Sequence, residues 1–255
     1  MRNIIIHYHI FKNAGSTIDA ILKNNFGARC GSTEGPNPWD TLCADDILKY
    51  ALSNPDMVAI SSHQARLPLP KSRDLAFHPI LFLRHPLDRA GSVYAFERRQ
   101  PINSPGLGIK VAHEKDFAGY VKWRLSDGNG AVIKNFQTVF LSGQQNDMRV
   151  ATATDTDLRA ALDTVSQLPF FGVVEHFDDS LIRMKNYLSH YFQNININYS
   201  IANKSIERKN TLQQRLEDMK LKLGSDLYQE LLDKNELDIQ LYNHTVSIFL
   251  SEKNA

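Results

Sequence analysis

Residues 7–17, HYHIFKNAGST, place one lysine, one glycine and two hydroxyls directly behind a short apolar run. These residue types suit the capture of a phosphate-like anion. A strand that ends in a tight loop opening a helix presents several backbone N–H groups at the positive end of the helix dipole. In residues 12–17, Ala14 and Gly15 keep side chains away from those amides, Ser16 and Thr17 add hydroxyl donors, Asn13 adds an amide, and Lys12 adds a point charge. The plain alternative is a strand-to-helix turn with a solvent-facing lysine. The spacing differs from the nucleoside-triphosphatase loop G-x-x-x-x-G-K-[ST], because Lys12 precedes the glycine by three residues and no early glycine is present. ATPase or GTPase chemistry is therefore disfavoured.

A second constellation lies in PILFLRHPLDRAGSVYAFER, residues 79–98. Pro86 at a helix start leaves Arg84 in extended chain, and Ser92 falls about two turns into the helix, with Arg89 nearby. A guanidinium fork plus a hydroxyl fits a phosphate monoester dianion. The plain alternatives are a surface ion pair for Arg84, a small helix residue at Ser92, and a turn residue bonded to backbone at His85.

The first loop resembles the 5′-phosphosulfate loop of the sulfotransferases that use 3′-phosphoadenosine 5′-phosphosulfate, with Phe11 where proline is common and Asn13 where Thr or Ser is common. The second stretch resembles the 3′-phosphate motif of the same family, with His85 in place of the usual aspartate. The two motifs stand about 70 residues apart in the family's order. The resemblance is to the carbohydrate type, especially the uronosyl 2-O-sulfotransferases. It implies that residues 12–17 hold the 5′-phosphosulfate and that Arg84 and Ser92 hold the 3′-phosphate. Lys12 would offset charge on the departing bridging oxygen.

In AISSHQARLP, residues 59–68, His63 matches the family's base, and an imidazole titrates in the right range for that task. A strand-end histidine bonded to backbone is the bland alternative. NFQTVFLSG (135–143) and FFGVVEHFDDSL (170–181) resemble two further family segments, making Asn135, Gln137 and Glu175 structural or acceptor-side residues, with Glu175 a minor candidate for the base. Lys204, Arg208 and Lys209 in NKSIERKN (203–210) fall where the family closes a loop over the nucleotide; a solvated charge cluster is equally consistent. The loop-rich stretch 97–115 offers Arg98, Arg99 and His113 to an acidic sugar, or forms a lid.

The elements that must position these groups follow from hydrophobic pattern. A β-branched run at 3–10, an apolar run at 57–63, another at 78–86 and FFGVVEHF at 170–177 read as buried strands. Ile18, Ile21, Leu22 and Phe26 mark a helix face stopped by Gly27, and residues 28–40 read as a Gly/Pro-rich loop. Helices are expected at 42–52, 87–98, 115–125 and 155–168, the last with a Thr154/Asp157 capping box, and from 178 onward with a polar interruption at 196–210. Strands alternating with helices predict one α/β domain over residues 1–255, a P-loop-like three-layer sandwich with a central parallel sheet flanked by helices.

Bulk composition adds exclusions. At 42% apolar and 22% charged residues, with a formal net charge of +1, the chain has no global basic field for nucleic acid. No run approaches the roughly 20 apolar residues of a membrane span, and the apolar N-terminal stretch is too short for a signal-peptide core, so a cytoplasmic location is expected. Cys30 and Cys43 are expected as free thiols, with pairing the alternative.

The expected function is sulfuryl transfer from 3′-phosphoadenosine 5′-phosphosulfate to a hydroxylated acceptor, a saccharide or glycolipid, with adenosine 3′,5′-bisphosphate as product. No metal is expected, and no Cys/His cluster with ligand spacing is evident. The alternatives are a Mg²⁺-dependent P-loop-like kinase and a non-catalytic nucleotide- or glycan-binding protein.

Overall fold

The computed structural model describes residues 1–129, 131–143, 152–198 and 211–251. Strand β1 (Arg2–Tyr8) lies inside a four-stranded sheet of order β2-β3-β1-β4, in which every pairing is parallel. Its partners are β2 (Cys30–Ser32), β3 (Ala59–Ser62) and β4 (Leu75–Ile80). Ile5 stands opposite Ala59 on one side and His78 on the other. A two-stranded parallel sheet, β5 (Phe82–Leu83) with β6 (Gly172–Val173), continues from the end of β4.

Because side chains alternate across a strand, a strand covered on both faces must be apolar throughout. Ile5 packs with Ile18, Ile21 and Leu22 of helix α1 (Gly15–Phe26) and with Leu181, Met184 and Leu188 of α8 (Phe177–Ser189). Ile6 and Tyr8 face the opposite layer, where α6 (Phe136–Leu141), α7 (Asp155–Gln167) and α11 (Glu236–Ser251) contribute Phe140, Leu158, Val165, Leu241 and Phe249. Helix α2 (Ala44–Ser53) supplies Ile47 to that layer. The result is an α/β fold with a central parallel sheet flanked by helices. A further cluster joins α3 (Pro86–Arg99), α4 (Leu107–Glu114) and α5 (Phe117–Leu125) to α9 (Leu212–Leu223) and α10 (Ser225–Asp233) through Leu87, Val93, Val111, Tyr120, Met219 and Leu231.

Several expected boundaries move. The first strand stops at Tyr8 rather than residue 10, since Ile10 N donates to Tyr8 O in a local turn. The single strand expected over 78–86 is two strands, because Leu81 O turns away to accept from Gly172 N. The strand expected over 170–177 shortens to β6 and passes into a 3-10 turn, Val174–His176. Residues 28–40 contain the edge strand β2, hidden by their Gly/Pro content. The stretch 97–115 is not loop throughout: α3 continues to Arg99, and α4 occupies its second half. The Gly27 stop and the Thr154/Asp157 capping box are present as expected. Cys30 and Cys43 are free thiols. No described helix is long and apolar enough to cross a membrane.

Candidate functional site

The loop after β1 is held in a costly backbone shape. Lys12 and Ala14 both adopt left-handed φ values, 66° and 64°, which disfavour any residue with a Cβ by roughly 1–2 kcal/mol each. The residue between them provides the restraint. Asn13 is buried, and its amide donates to Phe82 O at 2.8 Å and to Gln137 Oε1 at 2.7 Å. Gln137 Oε1 also accepts from Arg84 N, while its Nε2 donates to Arg84 O. Gln137 therefore joins the two motifs, and Asn13 serves as an inward anchor rather than a donor toward a ligand.

This shape leaves the N-terminus of α1 without a side-chain cap and without an acidic residue in its first turn. Ser16 is exposed and Thr17 half-buried. Gly15 has a steric reason beyond anion approach: a Cβ there would fall inside the His9 imidazole. Lys12 Nζ lies 4.5 Å from the ring centroid of Phe96 on α3. Ser92 precedes Phe96 by one turn and so shares its face of the helix.

Arg84 sits differently from the expected phosphate fork. It is 4% exposed, and its guanidinium bonds Asp88 Oδ2 through Nε at 2.8 Å and Nη2 at 2.7 Å, while Nη1 donates to Lys12 O at 3.0 Å. Asp88 also receives Arg215 Nε from α9, at 2.7 Å. Burial alone would raise the Asp88 carboxyl, but Arg84 and then Arg215 overcome it and bring it down to about 2. Arg84 thus clamps the left-handed Lys12 in place. Arg89 is wholly buried, donating to Val132 O and stacking on Phe136.

Glu175 is likewise an internal acceptor. It takes the His85 N–H at 3.0 Å and the Tyr242 hydroxyl at 3.1 Å, and burial raises its carboxyl above the ordinary range. Asn135 helps to seat α11 through Asp238 N, and Asp238 in turn caps α6 at Gln137 N and Thr138 N.

His63 stands at the carboxyl end of β3 with its side chain half exposed. Its Nδ1 lies 3.0 Å from Glu34 Oε1, which also accepts the His63 backbone N–H at 2.8 Å. Burial favours a neutral Glu34, yet these bonds outweigh it and hold the carboxyl below its usual value. An ionised carboxylate only accepts, so Nδ1 carries a proton, and in the neutral ring Nε2 is the nitrogen with the lone pair. The His63 ring stacks on His9 at 3.9 Å between centroids, and His9 is the ring that packs on Gly15. His63 is thereby tied to the Lys12 loop through one intervening side chain.

His9 and His7 extend this column, 5.0 Å apart, and Asp19 of α1 approaches both. Burial drives the His9 imidazole down to about 4 against the pull of Asp19, while the two histidines overcome burial to hold Asp19 well below the usual carboxylate range. The spacing of these residues in sequence does not single them out as a group, yet His7, His9 and Asp19 each bring one ligand atom within 4.8 Å of the others.

The remaining candidates are tied elsewhere. Arg98 donates to Ala112 O and Lys115 O, and His113 Nε2 lies 2.8 Å from Gln100 O, so both pin α4 against α3. Arg99 donates to Ala95 O of its own helix. Lys204, Arg208 and Lys209 lie outside the described residues. Sequence reasoning missed Glu34, hidden in a Gly/Pro-rich stretch, and Asp19, whose partners are set by the β1–α1 packing. The alternation of His7 and His9 at the end of an apolar run was the available signal.

No protein-family profile matches the chain. It is 34% identical over 253 residues to an uncharacterized protein of Archaeoglobus fulgidus, with 97% of this chain and 98% of that one covered.

Proposed function

We propose that this chain, which belongs to one family with the Archaeoglobus fulgidus protein over nearly its whole length, is a sulfotransferase using 3′-phosphoadenosine 5′-phosphosulfate and a hydroxylated, probe-identifiable acceptor such as a saccharide. The observation that carries the reading is the stacking of the His63–Glu34 pair on His9, against the uncapped, left-handed Lys12 loop. In this reading His63 is the base and the Lys12 loop the anion site beside it. The parallel sheet with β1 inside it supports the finer reading of a P-loop-like three-layer sandwich, because the loop after β1 then leaves the sheet at its carboxyl end.

The donor set fits the 5′ end of the nucleotide. The first-turn amides of α1, the Ser16 and Thr17 hydroxyls and Lys12 are the residues that would hold the phosphosulfate, and the nucleotide when bound supplies the sulfuryl group. Glu34 holds Nδ1–H of His63, leaving Nε2 to take the proton of the acceptor hydroxyl. Lys12, positioned by Arg84 through its carbonyl, stabilises negative charge where the leaving group departs. At the 3′ end, Ser92 is the candidate hydroxyl, whereas the buried Arg84 already commits its Nε, Nη1 and Nη2 to Asp88 and Lys12 O and would meet a phosphate only through its remaining N–H groups.

That internal commitment of Arg84 favours a second reading, a kinase whose donor lacks a 3′-phosphate. Ranking thermal stabilisation by adenosine 3′,5′-bisphosphate, ATP, ADP and AMP, each with and without Mg²⁺, separates the two, since a ligand of the native state raises Tm by mass action. A selective, Mg²⁺-independent shift with the bisphosphate is expected. A shift only with ATP and Mg²⁺ would replace sulfuryl transfer by phosphoryl transfer, and no shift with any nucleotide would overturn both.

A further inference from the structure

His7 lies near the end of β1 and His9 just beyond it, and their rings stack 5.0 Å apart on the same side. His7 Nδ1 lies 2.7 Å from Asp19 Oδ1, and His9 Nδ1 lies 2.9 Å from Asp19 Oδ2. The second contact is close without being a hydrogen bond: His9 is 6% exposed, and its buried Nδ1 has no hydrogen-bond partner. A buried ring nitrogen close beside a carboxylate without a directed hydrogen bond to it, and a second ring nitrogen on the other carboxylate oxygen, gather three donor groups at one point.

We propose that His7, His9 and Asp19 form a binding site for one divalent transition-metal ion of the zinc class, tying the end of β1 to α1. Two imidazole nitrogens and one carboxylate oxygen are a natural set for such an ion. Tetrahedral bonds of about 2.0–2.1 Å place ligand atoms roughly 3.3 Å apart; the two nitrogen–oxygen separations of 2.7 and 2.9 Å would open by a few tenths of an ångström, within a set of ligand atoms that all lie within 4.8 Å of one another. The Asp19 side chain is 37% exposed, giving the ion a path in and leaving a coordination position for water. Ser61 Oγ, 3.1 Å from His7 Nδ1, adds a hydroxyl beside the ligands. The negative charge of Asp19 reaches as far as the Cys30 thiol, which burial and then that charge hold above its ordinary value.

An ion here would brace two features at once, because the His9 ring both fills the space over Gly15 and stacks on His63. The site stands apart from the reading of sulfuryl transfer; a braced anion loop serves any donor. Without an ion, Asp19 is simply a hydrogen-bonding latch for His7.

Untagged full-length protein stripped with a chelator, then titrated with Co²⁺, distinguishes these states. The expected result is one equivalent of Co²⁺ with visible absorption of tetrahedral type, displaced by Zn²⁺, and a Zn²⁺-dependent rise in Tm. Asp19→Asn, at a part-exposed helix position, should keep the fold by circular dichroism and weaken cobalt binding at least about tenfold, with His9→Gln doing the same. Absence of stoichiometric Co²⁺ binding, or equally tight binding to Asp19→Asn, would overturn the proposal.

Discussion

Two charged regions flank the same loop and use their charge in opposite ways. On one side, the buried Arg84 and Asp88 and the partly buried Arg215 form a chain in which the guanidinium of Arg84 bonds a carboxylate and a backbone carbonyl. On the other, Glu34 orients His63 while the imidazole remains half exposed. Between them the Lys12 loop is strained, uncapped and anchored from beneath by Asn13. The difference separates scaffolding from presentation: a charge whose partners are internal shapes the loop, and a charge with one internal partner and one open side is available for chemistry.

Breaking the buried chain should give the largest effect. Asp88→Ala leaves Arg84 as an unpaired buried cation, and urea unfolding should show a loss of about 3–5 kcal/mol. The milder Asp88→Asn tests the same contact through pH. A carboxyl lowered in the folded state stabilises above its unfolded value and loses that contribution as pH falls; here the window runs from 3.8 down to about 2. The 1.8-unit difference corresponds to about 2 kcal/mol, and that part of the acid-induced loss should disappear in Asp88→Asn.

Lys12→Ala should leave stability within about 1 kcal/mol of the parent, yet lower transfer about 10²–10³-fold, the usual cost of removing one preorganised charge at a departing group. A variant that is clearly less stable yet binds nucleotide and turns over normally would place Lys12 with Arg84 as scaffolding. Asn13→Ala removes the anchor and strands Gln137 Oε1 with one fewer donor. Unfolding experiments should show a loss of about 1–3 kcal/mol.

Glu34→Gln should keep the fold and nucleotide affinity while shifting the pH–rate profile, since the carboxylate that fixes the His63 tautomer is gone; an unchanged profile would make Glu34 a loop tether only. The smallest effect belongs to Arg99→Ala, within about 0.5 kcal/mol and without change in acceptor KM, because Arg99 donates to Ala95 O of its own helix. A raised KM there would return Arg99 to the acceptor site.

The framework was readable in the sequence where one rule dominated. Uninterrupted burial makes β1 apolar from Ile4 to Ile6, and the 3.6-residue spacing of Ile18, Ile21 and Leu22 defines α1. Lys12, Gly15 and the two hydroxyls announce an anion loop by type and spacing alone. What the sequence conceals is the direction in which a polar side chain faces. Asn13 looks like one more loop donor, yet points inward to Phe82 O; Arg84 carries the same letter whether it grips a phosphate or Asp88. Glu34 and His63 are 29 residues apart and meet only because β2 and β3 pair in parallel, with Ser32 opposite Ser61. The split at Leu81 depends on Gly172, ninety residues on, which no local pattern reports.

The most direct test of the contrast is calorimetric titration of adenosine 3′,5′-bisphosphate, without Mg²⁺, into the parent, Lys12→Ala and Glu34→Gln. The expected result is saturable binding to the parent, at least about tenfold weaker binding to Lys12→Ala, as for the loss of one charge-assisted contact, and parental affinity in Glu34→Gln. Equal affinity in the parent and Lys12→Ala, or no binding to the parent, would contradict the assignment of the Lys12 loop as the donor site.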